Sequence, residues 1–212
     1  MLNFDDYGMS DDVNKIILSY APNVANCAIS VMANRVTPNG IVMLQDSFRG
    51  RINLHVDLVE GPFLNKQLPN NVDAAAAETR AQLNKLVAYG IAPAMIDFHQ
   101  NAHKRMYVMR SLIRCSSVIS NYKLRPLIQS RLMRPSSVLQ IKNFAAACAQ
   151  RLLSSTVFFA DGSVMSGLDK FPRHRWGELL PYLYSEKKII PCHPHLYKNE
   201  KLFCDYISKY NA

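Results

Sequence analysis

The densest run of side chains able to do chemistry is Pro191-Cys192-His193-Pro194-His195, with Cys204 further on. Thiolate and imidazole are natural zinc ligands. Structural zinc sites, however, usually pair two short Cys or His spacings, and here one half is Cys-His-Pro-His and the other a lone Cys204. Cys204 also falls in an apolar helical pattern with Leu202 and Ile207. The default reading is a Pro-rich loop beside a core cysteine, with zinc on Cys192, His193, His195 and Cys204 left open. No Gly-x-Ser-x-Gly surrounds a serine, and no phosphate-cradling glycine loop occurs. The acids near the N-terminus, Asp5-Asp6 and Asp11-Asp12, read as arm and helix-start residues. The expectation is a protein that is not an enzyme and carries no cofactor.

Cations interleaved with rings are the other chemical signal. Lys104-Arg105-Met106-Tyr107, Asn121-Tyr122-Lys123-Leu124-Arg125 and Phe171-Pro172-Arg173-His174-Arg175-Trp176 each set a flat ring beside a cation. Rings can stack on unpaired bases while cations hold phosphates, a combination suited to single-stranded RNA. The formal charge is +9, and no Asp or Glu occurs between Phe98 and Ala160. That stretch carries Lys104, Arg105, Arg110, Arg114, Lys123, Arg125, Arg131, Arg134, Lys142 and Arg151. Like charges repel, so a single-sign segment points to a counter-charge from outside, and a polyanion fits. The bland alternative is that the acidic N-terminal third folds over this face. Lys104, Arg105, Arg110, Arg114, Lys123, Arg125, Arg131, Arg134, Arg173 and Arg175 are therefore the candidate RNA contacts.

The elements that must position these groups read as mostly helical. Ser10 caps a helix over Val13 to Tyr20, and Pro22 ends it or starts another reaching about Asn34. Thr37-Pro38-Asn39-Gly40 reads as a turn. Arg51 to Leu58 alternates polar and apolar, the period of a half-buried strand, and pairs in a hairpin with Ile41-Val42-Met43-Leu44. His55 lies on the polar face and reads as solvent-facing. Pro69-Asn70-Asn71 opens a helix that Gly90 stops near Tyr89. One long helix is expected from about Ala94 to Asn121, another from Ser136 to Ser154, and shorter ones near Trp176–Glu186 and Leu196–Lys209. The expected architecture is mostly α with a small N-terminal β-hairpin: an arm over 1–35 and a basic helical core over 36–212, one domain or two lobes. No run reaches the roughly 18 apolar residues of a membrane span, the acidic N-terminus is unlike a signal peptide, and five scattered cysteines fit reduced thiols.

Over about residues 88–175 the chain resembles the nucleoproteins of phleboviruses and tenuiviruses. Ala88-Tyr89-Gly90-Ile91 with Ile96, then Met106, Val108, Leu112 and Arg114, resemble the entry to that family's core. Val118 to Leu124 is similar to its lysine-containing connector and Ser137 to Leu153 to its alanine-rich helix. Met165-Ser166-Gly167-Leu168 and Phe171-Pro172-Arg173-His174 are similar to its Pro-Arg turn. The resemblance implies a bilobal helical protein with a basic RNA cleft and an exchanged arm at Met1 to Ser19, assembling into homo-oligomers. Arg114, Lys123, Arg131 and Arg134 would hold phosphate. The function expected is a nucleocapsid or coat protein on single-stranded genomic RNA, in the virion and host cytoplasm, with a viral polymerase as a further partner. The alternative is a matrix, silencing-suppressor or adaptor protein whose basic helical face meets membrane or partner.

Overall fold

Leu2–Tyr7, expected within a helical arm, is a strand (β1) buried along its whole length. Its neighbours are Cys27–Val31 (β2) on one side and Lys188–Cys192 (β9) on the other, both parallel. The computed structural model describes residues 1–58, 71–126, 129–131, 150–151, 158–159, 163–166, 168–185 and 188–209. Within them the remaining strands are Arg51–Val56 (β3), Met95–Phe98 (β4), Lys123–Leu124 (β5), Gln129–Arg131 (β6), Phe158–Phe159 (β7) and Ser163–Ser166 (β8). The order is β6-β8-β9-β1-β2-β3-β4-β5-β7 with every pairing parallel, a sheet curled into an incomplete barrel.

The fold is therefore α/β, and the mostly helical, bilobal architecture is corrected. The reason is physical. Parallel strands need crossover connections whose helices cover the sheet, so their sequences read as continuous apolar runs without alternation. Cys27–Val31 is such a run, fully buried, where a helix to Asn34 was expected. Met95–Phe98, apolar but for Asp97 and buried throughout, is another strand, and it splits the expected long helix into a strand, a 3-10 segment His99–Lys104, and helices Met106–Arg114 (α4) and Ser116–Ile119 (α5). The hairpin is replaced as well. Pro38–Ser47 is a helix (α2) with Pro38 in its first turn, and the Thr37 hydroxyl accepts from Gly40 N at 3.0 Å. Thr37 to Gly40 thus starts a crossover rather than a turn, and β3 pairs in parallel with β2 and β4.

Two helices follow the sequence reading closely. Asp11–Tyr20 (α1) has Ser10 as its cap and Asp11 and Asp12 in its first turn. Val72–Ala88 (α3) starts at Asn71, whose side chain accepts from Ala74 N at 2.9 Å, and the chain leaves it through Gly90 at φ 78°. The last helix is Lys198–Ser208. The expected helix over Ser136 to Ser154 lies outside the described residues apart from 150–151.

Side chains pointing from the strands to the helices, among them Leu2, Phe4, Ile29, Leu54 and Ile96, are fully buried. Each contributes about 1.5–3 kcal/mol by leaving water. The other face of the same strands is buried and polar: Asn3 and Asp5 on β1, Ser30 on β2, Asn53 and His55 on β3, and Asp97 on β4. The alternation Arg51 to Leu58 is real, but its polar side faces the barrel interior instead of solvent. Gly8, at φ 100°, turns the chain after β1; a Cβ there would sit 2.8 Å from the Val36 Cβ and 3.1 Å from the Met32 carbonyl.

Candidate active site

The interior polar side chains form one connected network. Asn53 donates to Asn3 (2.7 Å), and Asn3 donates to Ser30 (2.8 Å) and to Asp5. Ser30 donates to Asp97 (2.7 Å), which in turn bonds His55 Nδ1. Arg125, just beyond β5, closes the network. It donates to both oxygens of Asp5, at 2.9 and 2.7 Å, and to Asp97 at 2.5 Å. Burial alone would raise the Asp5 carboxyl, but the Arg125 guanidinium outweighs it and holds it down at about 2. Burial likewise opposes charge on His55, yet Asp97 and Asp6 outweigh it and raise the imidazole to about 10.

Above this base, at the C-terminal ends of the parallel strands, Asp6, His55 and His99 converge, with His193 and His195 arriving from the end of β9. Open parallel sheets bind ligands at this edge. Asp6 Oδ1 lies 3.1 Å from His55 Nε2 and 2.9 Å from His99 Nδ1, and Asp6 Oδ2 lies 3.4 Å from His195 Nε2. Burial again opposes charge, and the surrounding imidazoles hold Asp6 far below the usual carboxylate range. The backbone is held in the left-handed region at Asp6 (φ 71°), Gln100 (φ 51°) and Asn101 (φ 54°). Such conformations cost about 1–3 kcal/mol each and cluster at working sites. Here they aim Asp6 and His99 at a common point.

These residues fit a divalent cation. Donor atoms about 2.1 Å from one ion lie about 3.0–3.4 Å from each other, close to the observed separations. His55 Nε2 and both ring nitrogens of His195 are buried with no hydrogen bond among the described residues. The two Nε2 atoms lie close to Asp6 without hydrogen-bond geometry toward it, the arrangement of ligands gathered around a shared ion. A second grouping, Asp5, His55 and Asp97, is compact too. Its carboxylates already bind Arg125, so Asp97 orients His55 from behind rather than sharing an ion with it. One consequence is measurable. With His55 raised to about 10, a cation must displace its proton, so affinity climbs with pH toward that value and binding releases protons. Calorimetry with Co²⁺ or Zn²⁺ at pH 7, in buffers of different ionisation enthalpy, should show that release; a buffer-independent heat would contradict this ligand set.

The cluster opens on a cavity of about 410 Å³ lined by Asp5, Asp6, His55, His99, Arg125, His193, Met9, Leu196 and Tyr197 among others. His193, a quarter exposed, is the most open of the site's imidazoles. Its Nε2 is 3.6 Å from Asp5 and 3.9 Å from Asp6, and its Nδ1 is 3.6 Å from buried Glu200, which also accepts from the His193 backbone N–H. Burial opposes its charge, but Glu200, Asp5 and Asp6 together raise its pKa. This is the arrangement of a positioned general acid.

The histidines of the run Cys192 to His195 therefore face the acidic cluster, while its cysteine turns into the core. Cys192 and Cys204 pack Sγ to Sγ at 3.6 Å, fully buried, while His193 and His195 face Asp5 and Asp6. Of the candidate RNA contacts, Arg125 is buried in the ion network. Arg105, Arg110, Arg114, Lys123, Arg173 and Arg175 are exposed, Arg110 and Arg114 on α4 and Arg173 and Arg175 on a 3-10 helix Arg173–Leu179; Arg114 lies 3.7 Å from Asp73, and Arg175 pairs with Glu178. Arg131 is on β6 and Lys104 ends the 3-10 segment after β4, their side chains not described, and Arg134 lies outside the described residues. Sequence reasoning missed Asp5, Asp6, His55, His99, Asp97 and Glu200. The available signal was collective: a β-like Asn3-x-Asp5-Asp6-x-Gly8 segment, and histidines on three separate segments.

The model of the family described as YdjC-like protein matches residues 1–211. A solved structure from Enterococcus faecalis V583, provisionally described as a cellobiose-phosphate cleavage protein, has the same fold: TM-score 0.68 at 15% identity, covering 99% of this chain and 92% of that one. No curated protein sequence matches. The family match overturns the nucleoprotein resemblance, and with it the RNA coat and its homo-oligomer, the virion location, the polymerase partner, the matrix or adaptor alternative and the expectation that the protein is not an enzyme. No described helix is long and apolar enough to cross a membrane.

Proposed function

This chain belongs to the YdjC-like protein family, and we propose that it is a cation-dependent hydrolase that removes an acetyl group from an amino sugar. The observation that carries the reading is the convergence of Asp6, His55 and His99 on an open cavity beside anionic Asp5 and His193. When bound, the cation supplies Lewis acidity to an acyl oxygen and to water. Asp5 is kept ionised by Arg125 and stands where it can accept the proton of an attacking water. As the tetrahedral centre collapses, the His193 imidazolium gives its proton to the departing nitrogen, with Glu200 fixing the ring from behind. The amide and water thus yield an amine and acetate.

The carbohydrate substrate class is supported by the sugar named for the Enterococcus faecalis structure. Cleavage of a glycosidic bond suits this site less well. That chemistry places two carboxyl groups on opposite sides of the bond, about 5–9.5 Å apart. Here Asp5 and Asp97 share one guanidinium on the same wall, and Asp6 is committed to imidazoles.

The test is acetate release from N-acetylglucosamine and its β-1,4-linked dimer by protein stripped with chelator and reloaded with Mg²⁺, Co²⁺ or Zn²⁺. Release that depends on an added cation is expected; none with any of the three would overturn the reading. His193→Ala should lose about 10²–10⁴-fold in kcat. It should also lose the alkaline limb of the pH profile, because an acid with a raised pKa works until pH climbs through that pKa.

A further inference from the structure

From the lip of the cavity we infer that Tyr197, with Leu196 and Met9 beside it, is a stacking shelf for the pyranose ring that carries the leaving nitrogen, and so determines specificity for a ring over an open-chain amide. The inference rests on the proposed acyl hydrolysis for the identity of the leaving group, but not for the existence of the shelf. Large apolar side chains on a protein surface are usually scattered. Here Leu196 (56% exposed) and Tyr197 (44% exposed) are consecutive, and both line the one cavity that also holds Asp5, Asp6, His55 and His193. The backbone holds them there: the N–H groups of Leu196 and Tyr197 both donate to the His193 carbonyl, at 2.9 and 3.1 Å. Tyr197 then leads into the helix Lys198–Ser208, whose Glu200 grips His193.

The position of the shelf gives it a side. The Tyr197 ring meets the His193 ring edge-on, with centroids 6.0 Å apart and planes at 90°. His193 is the group that protonates the leaving nitrogen, so whatever that nitrogen is attached to extends toward Tyr197. The acyl group then belongs toward Asp6, His55 and His99, whose side chains converge on one point of the same cavity. A pyranose has hydroxyls around its rim and a face of C–H bonds, and a C–H face packs well on an aromatic ring in the way apolar groups do on aromatic π-surfaces. A cavity that carries Asp5, Asp6, His55 and His193 together with the exposed apolar side chains Leu196 and Tyr197 matches such a two-sided ligand. A peptide-like or open-chain acyl amide would leave the lip bare.

Saturation-transfer difference NMR of N-acetylglucosamine on the cation-loaded protein should place the strongest transfer on ring C–H protons. In Tyr197→Ala that transfer should vanish and KM should rise about tenfold with kcat kept within a few-fold, while Tyr197→Phe retains both. The ratio of kcat/KM for N-acetylglucosamine over N-acetylethanolamine, the same amide without a ring, should fall about tenfold in Tyr197→Ala. An unchanged ratio and unchanged ring transfer in that variant would overturn the shelf and leave the hydrolysis standing. Tyr197-dependent ring transfer without acetate release would support the shelf and sink the hydrolysis.

Discussion

Asp6→Asn should fold and yet bind an added divalent cation far more weakly than the parent. Asp6 sits at φ 71°, a conformation that asparagine tolerates better than other residues. The substitution therefore keeps both the shape of the side chain and the backbone path. What it removes is the negative charge on which His55, His99 and His195 converge at 3.1, 2.9 and 3.4 Å. Loss of a group that merely orients a ligand typically weakens metal binding 10–100-fold, so loss of a ligand charge should cost about 100-fold or more. Hydrolysis should fall by at least the same factor. The far-UV circular dichroism should match the parent, while calorimetry with Co²⁺ shows weak or no binding. Cation affinity equal to the parent's would remove Asp6 from the site and leave His55 with Asp5 and Asp97 as the competing set.

The reason this site was hard to read from sequence lies in the sheet. Local signals survived where a helix end is specified by its own residues: Ser10 with Asp11 and Asp12, Asn71, and Gly90 all mark real boundaries. Strands did not, because Cys27–Val31 and Met95–Phe98 are short, buried on both faces, and each carries a single polar residue, Ser30 or Asp97, too little to show an alternation that would distinguish them from helix. Arg51 to Val56 did alternate, and it is a strand. The period told which residues share a face, but not which face meets water. His55 reads as solvent-facing, yet with Asn53 it lines the interior of a curled sheet beside Asn3, Asp5 and Asp97. The site residues are scattered over positions 5 to 200, so they come together only through parallel register, which no local spacing records. The acid-free stretch after Phe98 misled for a related reason. Arg125 does have counter-charges, but Asp5 lies 120 positions away and Asp97 lies 28.

That last residue separates the two interpretations most sharply. As an exposed phosphate contact, Arg125 could be replaced at little cost to stability. As the buried clamp on Asp5 and Asp97, it cannot. It is 3% exposed and donates to three carboxylate oxygens, so Arg125→Met would leave two buried carboxylates without their cation. Breaking a buried pair from one side costs about 3–5 kcal/mol. In a chain of this size that is a fall in Tm of about 6–20 °C. Lysine, a single point charge, cannot span both acids, so Arg125→Lys should recover only part of the loss. The pH dependence gives the sign. In the parent, Asp5 is depressed to about 2 from an ordinary 3.8, so its stabilisation is present above 3.8 and disappears as pH falls toward 2. In Arg125→Met burial is opposed only by the His55 and His193 imidazoles, Asp5 rises above its value in the parent, and the penalty is felt only where the carboxyl must ionise. The gap in Tm between parent and variant should therefore be widest near neutral pH and narrow steadily below pH 3.8. A variant melting within about 2 °C of the parent at pH 7 would show that the clamp contributes nothing to the fold, and that Asp5 is kept ionised by some other means.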